Sequence, residues 1–282
     1  DFEAIILQRS NPQRTELSIK SERLEKMKPV MLDIAKRIRK AVLEGQPIMI
    51  RHHNDADGII SGLSLEHACL KLMQDLNIDP KFMIFRSPSR APFYASGDLF
   101  RDILLSKKLI EGQSDIKPLI IIADNGSSPE DKFGLSSLKT LGYEAMVIDH
   151  HNPVVLNNGI TSVDEYLSHH LNPYKHGLDG KTSAGMLCYE IGRFVSENFE
   201  QPLFAAVSGI ADRCDIQETQ DYIDLTGLQK EELQKIGTAI DYISYQLKHD
   251  GGKGVHEILF ENQDFVNLIG QEVTKGFETQ LQ

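Results

Sequence analysis

The chain has 282 residues, 40% hydrophobic and 25% charged, with 30 Lys and Arg against 41 Asp and Glu and a formal net charge of -11. This composition excludes a largely disordered chain, and no apolar run approaches the roughly 20 residues that a membrane-spanning helix needs. No signal-peptide layout stands at the N-terminus, so a cytoplasmic protein with no membrane contact is expected, and a charge this negative argues at first against nucleic acid as a partner. Cys69, Cys188 and Cys214 are far apart and form no C-x-x-C pair, which excludes a disulfide frame and a zinc knuckle.

Charge is unevenly spread. Residues 1–45 carry ten Lys/Arg and seven Asp/Glu, whereas from Asp215 onward 13 acids face five lysines. The chain begins at Asp1 without a Met and stops at Gln282 without a cap or turn, the pattern expected of a fragment of something longer.

In chain order, Pro29 is predicted to open a helix whose Met31, Ile34, Ile38 and Val42 recur at spacings of three and four, with Gly45 closing it. A short strand follows at 48–50, then a helix over 59–76, a strand at 82–85 and a helix over 98–110. Residues 119–123, an unbroken apolar run rich in Ile, read as a strand buried on both faces. A helix over 131–141 and a strand at 145–148 complete another unit. Past Thr182 the pattern turns helical over 186–199, 203–211 and 228–247, until Gly251, Gly252 and Gly254 break it as a flexible turn. Strand and helix in alternation predict an α/β protein: a Rossmann-like, mainly parallel sheet flanked by helices and followed by a helical C-terminal segment. The organisation expected is a basic extension over 1–28, a domain over 29–215 and an acidic helical segment over 216–282.

Each of three predicted strands runs directly into a polar cluster. The first leads into Arg51-His52-His53-Asn54-Asp55-Ala56-Asp57-Gly58, the second into Asp124-Asn125-Gly126-Ser127-Ser128, the third into Asp149-His150-His151-Asn152-Pro153. Ligands of open parallel sheets bind beyond the carboxyl ends of the strands, so these loops would deliver four His and four Asp to one crevice. Carboxylate with imidazole and no thiolate suits Mn, Mg, Fe or Zn, and carboxylates crowded together need a cation. The spacing His53-x-Asp55-x-Asp57 points alternate side chains to one side and can feed two neighbouring metals. The implied chemistry is metal-assisted phosphoester hydrolysis.

His53-Asn54-Asp55-Ala56-Asp57-Gly58, Asp124-Asn125-Gly126-Ser127, Asp149-His150-His151 and Gly209-Ile210-Ala211-Asp212 together resemble the four ordered motifs of the DHH phosphoesterase superfamily, and most of all its archaeal RecJ-like nucleases. The resemblance covers roughly residues 29–215. It implies that His53, Asp55 and Asp124 hold one divalent ion, Mn2+ in the first place or Mg2+, and that Asp57, Asp124, His150 and Asp212 hold a second, with Asp124 as the bridge. It places His151 near the scissile phosphate, with Asp149 orienting a neighbouring His. Asn172-Pro173 and Thr182-Ser183-Ala184-Gly185 match the connecting segment, the latter at a helix N-terminus suited to an anion. Ser127, Thr182, Ser183 and Arg213 are the expected substrate contacts; Arg86, Arg90 and Arg101 are weaker candidates for phosphate. His52 is expected to line its loop, His169, His170 and His176 to lie in a solvated loop, and Cys214 to be a packed thiol.

The expected activity is exonucleolytic hydrolysis of single-stranded DNA or RNA, with a replication or repair protein as a further partner. Two alternatives are a phosphoesterase of very short oligonucleotides or cyclic dinucleotides, and a replisome scaffold without catalysis. The second, substrate-gripping domain usual in the resembled nucleases is not recognisable here, so it is expected to be missing from the chain.

Overall fold

The computed structural model describes residues 2–89, 91–113, 116–156, 159–247 and 254–280. Five parallel strands form one sheet: β1 (Ile48–His52), β2 (Ile84–Pro88), β3 (Leu119–Ala123), β4 (Glu144–Ile148) and β5 (His169–Leu171), in the order β2-β1-β3-β4-β5. The helices are α1 (Phe2–Arg9), α2 (Glu22–Leu43), α3 (Ala56–Asp75), α4 (Ser96–Gln113), α5 (Lys132–Thr140), α6 (Ala184–Val195), α7 (Pro202–Ala211), α8 (Gln217–Thr226), α9 (Lys230–Leu247), α10 (Val255–Glu261) and α11 (Gln263–Gln280). The α/β class and the parallel sheet follow the sequence pattern.

The apolar run of β3 shows why the sheet is covered on both sides. Leu119, Ile121 and Ala123 join one buried cluster with Ile48, Ile50, Met146 and Ile148 and with α2, α3, α6 and α7, whereas Ile120 and Ile122 join a second with Met49, Val147, Tyr94, Leu99 and Leu135 under α4 and α5. Alternate side chains of a strand point to opposite faces, so a strand with helices on both sides reads as a continuous apolar run. The order reverses between β1 and β3, and this switch point opens a crevice at the carboxyl ends of the strands.

Several expectations are corrected. The helix assigned to Pro29 starts seven residues earlier at Glu22, capped by Ser21, whose side chain accepts from the Leu24 amide. Pro29 lies inside it. Burial of Leu24 and Met27 on the same stripe as Met31 and Ile34 offsets the backbone bond that proline forfeits, so the boundary drawn at residue 28 falls within a continuous helix. The extension before it packs on α6: the Ser18 amide donates to buried Glu190, and Arg14 pairs with Glu200 at 2.7 Å. The strand assigned to 82–85 lies at Ile84–Pro88, and the helix assigned to 186–199 ends at Val195. The solvated loop assigned to His169 and His170 contains β5, which pairs with β4 through Met146 and His169, Val147 and His170, and Ile148 and Leu171. Helix α1 lies in the stretch read only as a basic extension, and α8 falls inside the segment expected to be helical but between the spans assigned to individual helices. Helices α8 to α10 contribute Tyr222, Ile236, Ile240 and Leu259 to the same core as the sheet. Gly254 precedes α10 with φ +84°, while 251–253 lie outside the described residues.

Candidate metal centre

The turns after β1, β3 and β4 meet in the crevice, as the motifs led one to expect. After β1, Asp55 occupies the N-cap of α3, its side chain accepting from the Gly58 amide at 2.9 Å, and Asp57 falls in the first turn. Gly58 is required there, because a Cβ would stand 2.3 Å from the His53 carbonyl oxygen. After β3, Asp124 adopts φ +59°, a left-handed conformation that costs an L-residue energy and is retained here by the Asp124 amide donating to the Ile148 carbonyl at 2.8 Å. Asp212 caps the C-terminus of α7.

Two groups of ligand atoms result. Nδ1 of His53 lies 2.7 Å from Asp55 Oδ2 and 3.6 Å from Asp124 Oδ2. Nε2 of His150 lies 3.3 Å from Asp124 Oδ1 and 3.6 Å from both Asp57 Oδ2 and Asp212 Oδ2. His53, Asp55 and Asp124 form one set of potential metal ligands with all donor atoms within 4.8 Å, and Asp57, His150 and Asp212 form another. Asp124 faces both, one oxygen toward each. His151 also comes within reach, its Nδ1 3.7 Å from Asp124 Oδ1.

The donor set fits divalent cations on a physical test. Asp124 is 1% exposed, yet neither of its oxygens receives a well-aligned hydrogen bond, and the same holds for His150 Nε2 and His53 Nδ1. Buried polar atoms left in this state are costly, and these four converge on one region. The Nδ1–H of His150 donates to the Gly180 carbonyl at 2.7 Å, which leaves Nε2 as the nitrogen available to a cation.

The electrostatics reflect the crowding. Burial and the neighbouring Asp57 and Asp55 carboxylates raise Asp124 to about 7. Burial also raises Asp57 and Asp212, in each case against the opposing charge of His150. For His150, burial would lower the pKa, but the nearby Asp124 carboxylate and the charges of Asp57 and Asp212 raise it to about 11; His53 is raised to about 10 in the same way by Asp124 and Asp55. The Asp149 carboxylate accepts from the His150 amide at 2.8 Å and from His151 Nδ1 at 2.8 Å. This hydrogen bond is the main cause that raises His151 to about 9.

The helix N-terminus at Thr182-Ser183-Ala184-Gly185 does hold an anion, and the anion is Asp57. The amides of Ala184 and Gly185 donate to its two oxygens at 3.0 and 2.8 Å, and the Ser208 hydroxyl donates to Oδ1. A Cβ on Gly185 would meet Ser208 Oγ at 2.4 Å and Asp57 Oδ1 at 2.9 Å, so glycine allows this approach. The expected substrate contacts divide accordingly. Thr182 and Ser183 are buried, the first accepting from Arg23 Nε at 3.2 Å, the second capping α6 and hydrogen-bonded to Ser208. Ser127 is buried against His170 and Asn172. Arg213 is exposed beside Asp212. Arg86 is buried between Glu66 and Glu257 and Arg101 lies 4.0 Å from Asp98, while Arg90 falls outside the described residues.

His52 turns away from the cluster. It is wholly buried, its Nδ1–H donating to the His53 carbonyl, and burial and Arg86 hold its pKa well below the usual imidazole value. Cys214 is buried, and burial pushes its thiol well above the usual value. Sequence reasoning missed the Gly180 carbonyl, Ser208, His170 and Asp241, whose Oδ1 accepts from the Ala56 amide at 2.7 Å between the two motif carboxylates. Each acts across a long sequence separation and carries no local motif.

Residues 47–208 match the model of the DHH family, N-terminal domain. A Methanocaldococcus jannaschii protein described as uncharacterised is 34% identical over 291 residues, covering 93% of this chain and 38% of the relative, so the chain spans well under half of that relative's length. A solved structure described as the DHH domain of a member of the s1p family of ribosomal proteins superposes with a TM-score of 0.92 at 33% identity, over 98% of this chain and 67% of that one. Two structures of exonuclease RecJ with manganese, the second from Thermus thermophilus, superpose with a TM-score of 0.54 each at 17% and 15% identity. They cover 89% and 97% of this chain and 69% and 42% of their own, a likeness of fold. With the motifs, the crevice and these relatives together, the chain belongs to the DHH superfamily of phosphoesterases.

Proposed function

We propose that the protein is a Mn2+- or Mg2+-dependent exonuclease of the RecJ kind, hydrolysing phosphodiester bonds at an end of single-stranded DNA or RNA. The observation that carries this reading is the convergence of all four motifs on buried Asp124, whose two oxygens face separate sets of His and Asp ligands. His53, Asp55 and Asp124 would hold one ion and Asp57, Asp124, His150 and Asp212 the other. Bound there, the ions supply Lewis acidity toward a phosphoryl oxygen and a nucleophile at neutral pH.

The remaining work falls to the chain's own residues. Asp149 engages Nδ1 of His151 and leaves Nε2 to reach a leaving oxygen. In the metal-free protein the Asp149 carboxylate raises this imidazole to about 9, and a protonated imidazole is what a general acid at a leaving oxygen requires. The His151 side chain is 53% exposed and stands at the rim, whereas His150 is buried among the carboxylates. Arg213, exposed beside Asp212, is positioned to meet a substrate phosphate. The relative described with the s1p family of ribosomal proteins makes RNA the strand to try first. Among the described residues no helix is long and apolar enough to cross a membrane. The full set of motif ligands also stands against a purely scaffolding role, although docking on a replication or repair protein is compatible with it.

The test is cleavage of 5'- and 3'-labelled RNA and DNA of several lengths with Mn2+. Progressive shortening from one end is expected, and Asp124→Ala should abolish it while the circular dichroism spectrum stays unchanged. Hydrolysis retained by Asp124→Ala overturns the assignment. Rapid cleavage of a dinucleotide with long strands untouched replaces it with the short-substrate reading.

A further inference from the structure

A buried hydrogen-bonded chain runs away from the acidic cluster on the side opposite α6. Asp164, in the connection between β4 and β5, accepts from His170 Nδ1 at 2.6 Å, from the Thr161 amide at 2.7 Å and from Lys175 Nζ at 2.5 Å. On the other edge of the ring, His170 Nε2 lies 2.9 Å from Ser127 Oγ. That hydroxyl accepts from Asn172 Nδ2 at 3.1 Å, and the same amide donates to the His151 carbonyl at 2.9 Å. The chain thus starts beside the edge strand, passes through the turn after β3 and ends on the His151 carbonyl in the turn after β4.

Aspartate, histidine and serine stand here in the order of a hydrolytic triad, but this serine is no nucleophile. Ser127 is 1% exposed, and its hydroxyl is engaged with His170 and Asn172. What the arrangement does is join the turns after β3 and β4 a second time, beyond the hydrogen bond from the Asp124 amide to the Ile148 carbonyl. Asp124 and Gly126 both have left-handed backbone, at φ +59° and +101°, and Gly126 sits against Val147 and Ile122 where a Cβ would clash. Such a turn persists only when its surroundings hold it. Ser127 is its last residue, and His170 and Asn172 hold Ser127.

We infer that His170, backed by Asp164, is a positioning residue that sets His151 against Asp124. The inference rests on the proposed hydrolase function. His170 touches neither cluster ligand nor any group expected to react; it acts through Ser127 and Asn172. Groups at this remove from a metal centre commonly change activity by about 10- to 100-fold when removed.

Two readouts test it. In metal-free protein labelled with 15N-histidine, the ring nitrogens of His151 should give one fixed pattern, and His170→Ala should shift or broaden it. In the Mn2+-loaded protein, His170→Ala should lower kcat for a labelled strand about 10- to 100-fold with KM within about twofold, and His170→Gln, whose amide can reach Ser127, should recover part of the loss. If His170→Ala does not fold, Asp164→Asn, nearer the surface, should move both readouts in the same direction. A folded variant with unchanged His151 signals and kcat within twofold of wild type overturns the inference, as does a loss spread equally over kcat and KM. A wild-type protein that cleaves nothing refutes the proposed function, and the His151 spectrum then decides the positioning role by itself.

Discussion

Asp124 concentrates the physical demands of the site: a charge-bearing group with no aligned hydrogen bond, on a left-handed backbone, facing ligands from three other motifs. Without metal the fold raises its pKa above the usual carboxylate value, so the protonated form is favoured. The stability this contributes is present below about pH 4 and is lost as pH rises through about 7. A metal must displace that proton and those held by His53 and His150. The affinity for Mn2+ should therefore increase between pH 6 and 8, by about tenfold per pH unit for each proton released. Calorimetric titration at three pH values checks this, and an affinity flat across the range contradicts it. The sequence made these candidate ligands legible because the chemistry needs His and Asp at short, alternating spacings after strands. It did not reveal that Asp57 would occupy the N-terminus of α6, since the amides of Ala184 and Gly185 lie 127 and 128 residues away. Nor did it reveal that Thr182 and Ser183 would turn inward, because a helix N-terminus looks the same whether its anion is a substrate or the protein's own carboxylate.

Elements were legible where a local pattern decides them. The apolar run of β3 needs no partner to be recognised, and the stripe Met31, Ile34, Ile38 identifies most of α2. Its true start at Glu22 was hidden by Pro29, whose local cost is outweighed by the burial of Leu24 and Met27. Strand β5 has three residues, two of them His, and exists because β4 offers a free edge. Helix α9 carries a similar long-range role. Its Asp241 accepts from the Ala56 amide at the N-terminus of α3, beside the Asp55 cap, so a segment read only as an acidic helical tail contacts the first motif. Asp241→Ala removes one acceptor from a helix N-terminus, and a loss of about 1 kcal/mol is expected. The loop bearing Asp55 and Asp57 is then less constrained, and Mn2+ should bind more weakly. Urea denaturation of the metal-free variant and its Mn2+ titration measure the two effects separately; unchanged values in both would show that α9 contributes nothing to this turn.

For the whole molecule, the net charge of -11 first read as an objection to an anionic substrate. Asp55, Asp57, Asp124 and Asp212 belong to that surplus, and they stand in one crevice where two divalent ions would add a charge of +4. The acidic count is thus partly a measure of metal capacity and says little about the partner. A fold that gathers mutually repelling carboxylates should also depend on the ion for stability, since a ligand that binds only the native state stabilises it by mass action. At a Mn2+ concentration about 100 times the dissociation constant this amounts to about 2.7 kcal/mol. For a domain near this size each kcal/mol moves the melting temperature by roughly 2–4 °C, so saturating Mn2+ should raise Tm by about 5–11 °C over protein treated with EDTA. Asp124→Ala, which removes the bridging group, should lose most of that shift. Thermal melts of both proteins with and without Mn2+ measure it, and an equal rise in the two would place the stabilising ion somewhere other than this crevice.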